Sequence, residues 1–244
     1  MIAKDILILS KSRKWNGFCV AGCDLSTNEW VRIISHDPSI HHSVPAKDIL
    51  IVGTKEEVQL LDIIRVNLTK VPAQNPNPHQ VENWEYDTAT PWKKVKSAGL
   101  DDIPKSLVYK GNYLYYNTKN CLTPQDMQAV KPDAYMSLVL IPNYFCDFSV
   151  KEYEGQKKVY AILHYNGIAY PRIALTDPHW EELAQKQYNA TKADFFFISH
   201  VKYFVVSLGG LFDMTKCYYK LIASVIADKN AKLIPKKKQP KEAG

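Results

Sequence analysis

The segment SRKWNGFCVAGCDLSTNEWVRIIS, residues 12–35, gathers Arg13, Lys14, Trp15 and Arg32 around two glycines and two cysteines. A guanidinium fork grips phosphate oxygens and base edges through paired hydrogen bonds. An indole offers a flat face for an unpaired base, an interaction of ~1–3 kcal/mol per base. Cations beside rings are thus the chemistry of a polyanion that carries aromatic bases. The competing reading is structural: a strand arginine forms an ion pair, and Trp30, ahead of an apolar run, packs into a core. His79, Glu82 and Asn83 form an acid–base-like cluster that could position a phosphate or a water. Arg172, Ser207 and Lys220 are a comparable set in the second half. Residues 79–116 interleave rings, Trp92 among them, with Lys93, Lys94 and other basic groups, the composition of a single-strand groove. For these cations to hold a polyanion together, Arg13, Arg32, Arg172 and Lys220 must share one concave face.

No paired carboxylates, phosphate-cradling glycine loop or nucleophile–base spacing stands out, so no catalytic residue is assigned. Thr176 and Asp177 precede Pro178 and read as a helix cap before they read as catalytic groups. The five cysteines, at 19, 23, 121, 146 and 217, include no Cys-x-x-Cys and read as buried reduced thiols. A zinc site built from Cys19 and Cys23 with His36, His41 or His42 would lack a recognised ligand spacing. No cofactor or metal is expected. No apolar run approaches the ~18–20 residues of a membrane span, and the N-terminal MIAKDILILSKSRK reads as a strand. A cytoplasmic protein without membrane contact is expected.

The net charge of +6 is uneven: residues 229–244 carry +5, leaving +1 on the remaining 228. That Lys/Pro-rich end is expected to be a disordered tail, either an anchor on phosphate backbones or a solubilising end. A nucleic-acid reading must rest on a local patch of the body.

Strand periodicity dominates. Residues 5–9, 17–25, 29–35, 60–71, 134–143, 145–153, 158–165, 168–176, 202–209 and 217–227 read as strands, with Asn166-Gly167 as a tight hairpin turn. One helix opens at Pro178. The fold class is mainly β: two five-stranded, partly open barrels of the oligonucleotide/oligosaccharide-binding (OB) kind, with a helical and loop insertion and the basic tail. The expected division is 1–143 for the first barrel, with a loop-rich insertion at about 72–134, then 144–228 for the second and 229–244 for the tail.

The succession SRKWNGFCVAG, EWVRIIS, LLDIIRV and HQVENW, followed by YNGIAYPRIALTDP and YFVVSLGGLFDMTKCYYKLIASVI, resembles the dual OB-fold-containing domain family over residues 3–228. The resemblance implies two packed OB-like barrels, a prokaryotic origin, nucleic-acid binding and a setting beside defence genes. Arg172, Ser207 and Lys220 match the polar signature of that family. The chain departs from it at Arg32, which is followed by Ile33 where the family tends to have proline, and in its lysine tail. The function expected is a nucleic-acid-binding module, for single-stranded or guide/target nucleic acid, of a prokaryotic defence or mobile-element system. A protein partner in such a complex goes with it. The alternatives are an enzyme on nucleic acid or nucleotides, using His79/Glu82 or Asp177/Lys220, and a protein–protein adaptor.

Overall fold

The computed structural model describes residues 1–73, 76–143 and 145–236 of the 244. β1 (Ile2–Lys14), β2 (Gly17–Asp24) and β3 (Glu29–Ile34) form an antiparallel meander. β4 (Asp62–Lys70) returns along the first half of β1, and β5 (Asn83–Tyr86) lies antiparallel to β4 and parallel to β3. The path β1-β2-β3-β5-β4-β1 therefore closes into a five-stranded barrel of OB order. Strand alternation decides the two faces. Ile6, Ile8, Val20, Val31 and Ile33 point inward, where Trp92 fills the interior with them. A bulge at Leu9, between Ile8 and Ser10 in the register, bends β1 so that its far half runs on towards the second unit. β6 (Lys93–Ser97) is added on the flank of β4.

After β7 (Cys121–Leu122), the short α1 (Pro124–Gln128) and β8 (Leu138–Pro142), the OB order recurs. β9 (Phe145–Tyr153), β10 (Gln156–Tyr165) and β11 (Ile168–Leu175) form a second meander. Asn166 and Gly167 turn it at φ 49° and 76°, the mirror-image geometry that suits a two-residue hairpin. α2 (Pro178–Thr191) follows, capped by Asp177, whose Oδ1 accepts from the backbone N–H groups of His179 and Trp180. Then come β12 (Phe195–Ile198), β13 (Val201–Phe212) and β14 (Cys217–Ala227), with β14 parallel to β11. The path β9-β10-β11-β14-β13 repeats the first barrel but is extended at both ends: β8 takes the edge of β13 and β12 takes that of β9.

The outward residues of the first meander do not face water. Leu7, Leu9, Ala21 and Cys23 pack on Leu138, Leu140, Val205, Ala223 and Ile226 of the second unit in one apolar core, with Trp30 at its margin. Burial of about 1.5–3 kcal/mol per large side chain makes this contact far too favourable for the barrels to part in solution. Backbone bonds extend the junction: Arg13 N–H donates to Thr176 O at 2.8 Å, and Lys11 N–H to Ser224 Oγ at 3.1 Å.

Three expectations need correction. The boundary at residue 143 falls inside a sheet, because β7 and β8 pair with β14 and β13 and so belong to the second unit. The insertion at 72–134 is no separate element, since β5 completes the first barrel and Leu114, Tyr115, Leu122 and Met127 enter the second core. The tail is not unstructured from residue 229 onward. β15 (Leu233–Pro235) pairs with β12, and Lys236 forms an ion pair with Asp147, because an apolar Leu233-Ile234 pair interrupts the lysines. Residues 237–244 lie outside the described residues.

Gly22 shows how tightly β1 and β2 meet: a Cβ there would come within 2.1 Å of the Leu7 carbonyl oxygen. Gly22→Ala is expected to cost about 2 kcal/mol, read as a Tm lower by about 4–8 °C. Gly99→Ala, whose Cβ would meet nothing closer than 3.7 Å, is the control and should leave Tm close to wild type.

Candidate nucleic-acid interface

Arg32 projects from the outward face of β3 into the junction between the barrels and is 3% exposed. Nη1 donates to Cys19 Sγ at 2.9 Å. Nη2 lies 2.6 Å from Ser137 Oγ, 3.3 Å from Ser137 O and 3.4 Å from both Glu82 Oε1 and Ser207 Oγ. Ser137 Oγ in turn donates to Glu82 Oε1. Burial by itself would lower the Arg32 pKa, but Cys19, Glu82 and Tyr115 outweigh it and hold the guanidinium firmly protonated. Burial holds the Tyr115 phenol well above its ordinary pKa, so it stays a donor, to Val206 O at 2.7 Å and Ser137 O at 3.0 Å.

His79 is fully buried in the β4–β5 connection. Its Nε2 donates to Gly209 O at 3.0 Å, and its ring meets the Tyr218 edge at 5.0 Å. Burial, with Arg32 nearby, pushes its pKa down to about 4. The same connection is held by Leu211 N–H donating to Asn77 Oδ1 at 2.9 Å and Tyr218 OH to Pro76 O at 2.7 Å. An OB barrel commonly binds its ligand on the outer face of strands two and three and in the loops that flank it. In the first barrel that face and the β4–β5 loop are both covered by the second barrel.

The structure brings Arg32, His79, Glu82, Asn83 and Ser207 into this one buried polar layer, with Arg32 Nε, His79 Nδ1 and Asn83 Oδ1 lacking a hydrogen-bond partner among the described residues. It does not bring the four proposed cations into one hollow, and that expectation is corrected. Arg13 is pinned on the surface by Glu181, at 3.3 Å, and Glu182 of α2. Lys220 is buried elsewhere, donating to Asn117 O and Oδ1 at 2.8 and 2.9 Å and lying 4.6 Å from the Tyr170 ring centre; burial pulls its pKa down to about 7. The Asp177–Lys220 ion pair does not form, because Asp177 Oδ2 accepts from Val225 N–H at 3.0 Å.

Trp92 is core rather than a base platform, 1% exposed and edge-on to Tyr86. Lys93 is exposed, while Lys94 pairs with Asp62 at 2.6 Å. The ring-rich segment 109–116 packs against the second core instead of lining a groove. Lys14 is half-buried, its pKa lowered by burial and by Arg32. Trp15 is 68% exposed and stacks on His41.

The counterpart face of the second barrel, formed by β9, β10 and β11, is open. Lys158, Tyr160, Ile162 and His164 line it from β10; Ser149 and Lys151 line it from β9, and Arg172 from β11. Lys151 stands directly opposite Lys158, and neither has a carboxylate within 4.0 Å among the described residues. Like charges paired across strands disfavour the sheet. The β10–β11 register slips by one residue opposite Ile162, so Pro171-Arg172 forms a bulge. Arg172 sits there at φ 56°, the one left-handed non-glycine within a strand rather than at a turn, loop or cap among the described residues. The bulge re-aims its guanidinium over the Tyr160 ring, 5.8 Å from the centre.

A profile of the dual OB-containing domain matches residues 4–225, nearly the whole chain. The chain belongs to the dual OB-containing domain family. No curated protein and no solved structure matches it. Within this dual OB chain the two barrels are covered unequally: the β2–β3 face of the first packs on the second, and the β9–β11 face of the second is open to solvent. Arg172 was visible in the sequence, but Lys151, Lys158, Tyr160 and Ile162 were not. VYAIL is apolar at every position, so alternation cannot tell which face of that strand is wet. Pro171 inside a strand pattern was the usable signal, since an interior proline marks an edge or a bulge.

Two tests follow from the buried layer. His79 takes up its proton in the fold only near pH 4, with its pKa pushed down to about 4, whereas an unfolded histidine takes up its proton near pH 6.5. Stability should therefore fall as pH drops from 6.5 to 4, by up to roughly 3 kcal/mol from this residue, and His79→Gln should flatten that part of the urea-melt profile. Glu82→Ala leaves Arg32 buried without its carboxylate and should cost about 3–5 kcal/mol in the same melts.

Proposed function

We propose that the protein is a single-stranded nucleic-acid-binding module that takes its ligand on the open β9–β11 face. The observation that carries this reading is the bulge that holds Arg172 over Tyr160 where an OB barrel takes a strand. A ring and a guanidinium plane receive a base by stacking, while Lys151 and Lys158 meet the phosphates. Asp147, on the same strand, is neutralised by Lys236, which leaves the field of the face positive. Recognition of this kind tolerates any base sequence, because every base has a π-face.

The residues that would serve an enzyme are engaged otherwise: His79 is fully buried, Glu82 is tied to Arg32 and Ser137, and Asp177 caps α2 and holds β14. In line with the family likeness, we place the module in a prokaryotic defence or mobile-element system, in the cytoplasm, with a protein partner supplying any chemistry on the strand.

Fluorescence anisotropy with labelled oligo(dT) tests the proposal. Two phosphate contacts, from Lys151 and Lys158, predict a slope of log Kobs against log[salt] of about −1.4, at about 0.7 per contact. Tyr160→Ala and Arg172→Ala should each weaken binding about ten-fold with the slope little changed, while Lys151→Ala should lower the slope by about 0.7. Absence of binding by the full chain at low salt would sink the reading and leave a protein-docking role.

A further inference from the structure

We propose that Trp15, at the β1–β2 tip, is a second stacking station, so that one single strand engages both barrels. The inference rests on the reading of the β9–β11 face above and extends it across the junction.

Trp15 is the exposed tryptophan of the chain: Trp30 and Trp84 are half-buried, and Trp92 and Trp180 are buried. His41 lies parallel to its ring at 4.0 Å and 15° and covers one face. With 68% of the residue still accessible, the other face of the indole is open. Trp15, His41 and His42 all have left-handed backbones, at φ 51°, 54° and 56°. Strained residues of this kind persist only where surrounding structure holds them. Gly17 provides that hold, since a Cβ there would lie 2.6 Å from Val44 O, locking the hairpin tip against the loop that carries His41. An exposed indole kept flat by its neighbours loses little conformational freedom when a base stacks on it.

The tip is also fixed relative to the second barrel. Arg13, two residues away, bonds through its backbone to Thr176, just beyond β11, and its side chain is clasped by Glu181 and Glu182. Arg13 is thus a positioning residue, not a phosphate ligand. Thr176 follows the end of β11, four residues beyond Arg172. At about 3.4 Å per residue plus one strand spacing, the path from Trp15 to Arg172 is at most about 25 Å. That span lies within the reach of a strand that occupies about 4–16 nucleotides of an OB surface.

The test compares labelled dT4 with dT12 on the full chain. Trp15→Ala should weaken dT12 about ten-fold and leave dT4, held by the β9–β11 face, unchanged. Trp15→Phe should restore most of the dT12 affinity, and saturating dT12 should protect the exposed tryptophan from iodide quenching. Arg172→Ala should weaken both lengths. If Trp15→Ala leaves both lengths unchanged, or weakens both alike, the second station is wrong while the first stands. If the wild-type chain binds neither length, both readings fall, and Trp15 is left as a contact for a protein.

Discussion

The constraint on which the rest of this structure depends is the burial of one barrel's outer face against its neighbour. β1 and β2 carry apolar residues on both sides, so their inward residues fill the first barrel and their outward residues must find a second cover. β8, β13 and β14 provide it. A single OB unit can expose strands two and three because side chains that meet water there are polar. Here Ala21 and Cys23 of β2, with Leu7 and Leu9 of β1 beside them, would otherwise form a large exposed apolar patch.

Once the barrels are joined this way, the polar groups caught in the seam need internal partners. Arg32 is the extreme case: a guanidinium 3% exposed cannot shed its charge, so Glu82, Ser137, Ser207 and Cys19 converge on it. The convergence makes the seam directional, because the acceptors come from both units and match in one register only. Such an arrangement favours a single docking geometry more than it adds net stability. It also removes Arg32 from ligand chemistry, and the same holds for His79 and Lys220, each desolvated and bonded inside the protein.

What is left for a polyanion is surface charge that nothing inside has claimed. The body of the chain is almost neutral, so the placement of charges matters more than their number. Several surface cations are clasped, Arg13 by two glutamates, Arg65 by Asp5 and Lys94 by Asp62. On the β9–β11 face, two lysines oppose each other and an arginine is lifted by a strained bulge onto a ring. A surface that accepts like-charge pairing and backbone strain at one place is arranged for something other than its own stability.

Local rules written into the sequence determined a good deal: the strand-rich class, the paired five-stranded units, the Asn166-Gly167 turn and the cap that Asp177 places on α2 are all consequences of alternation, turn chemistry and propensity. The sequence also singled out Arg32 and Ser207 as ligand-binding candidates and His79, Glu82 and Asn83 as an acid–base-like cluster, and the fold brings the two sets together in one buried layer. Only the tertiary structure decided that they meet in a sealed seam, that Trp92 is core, that β7 and β8 cross to the second unit, and that Tyr160 and Arg172 share an open face. The physical reason is that alternation records which residues share a side of a strand and nothing about what covers that side. A strand apolar on both faces reads the same whether it is buried twice, as in β1, or half open to water, as in β10. Which cover arrives is settled by contacts between residues far apart in the chain.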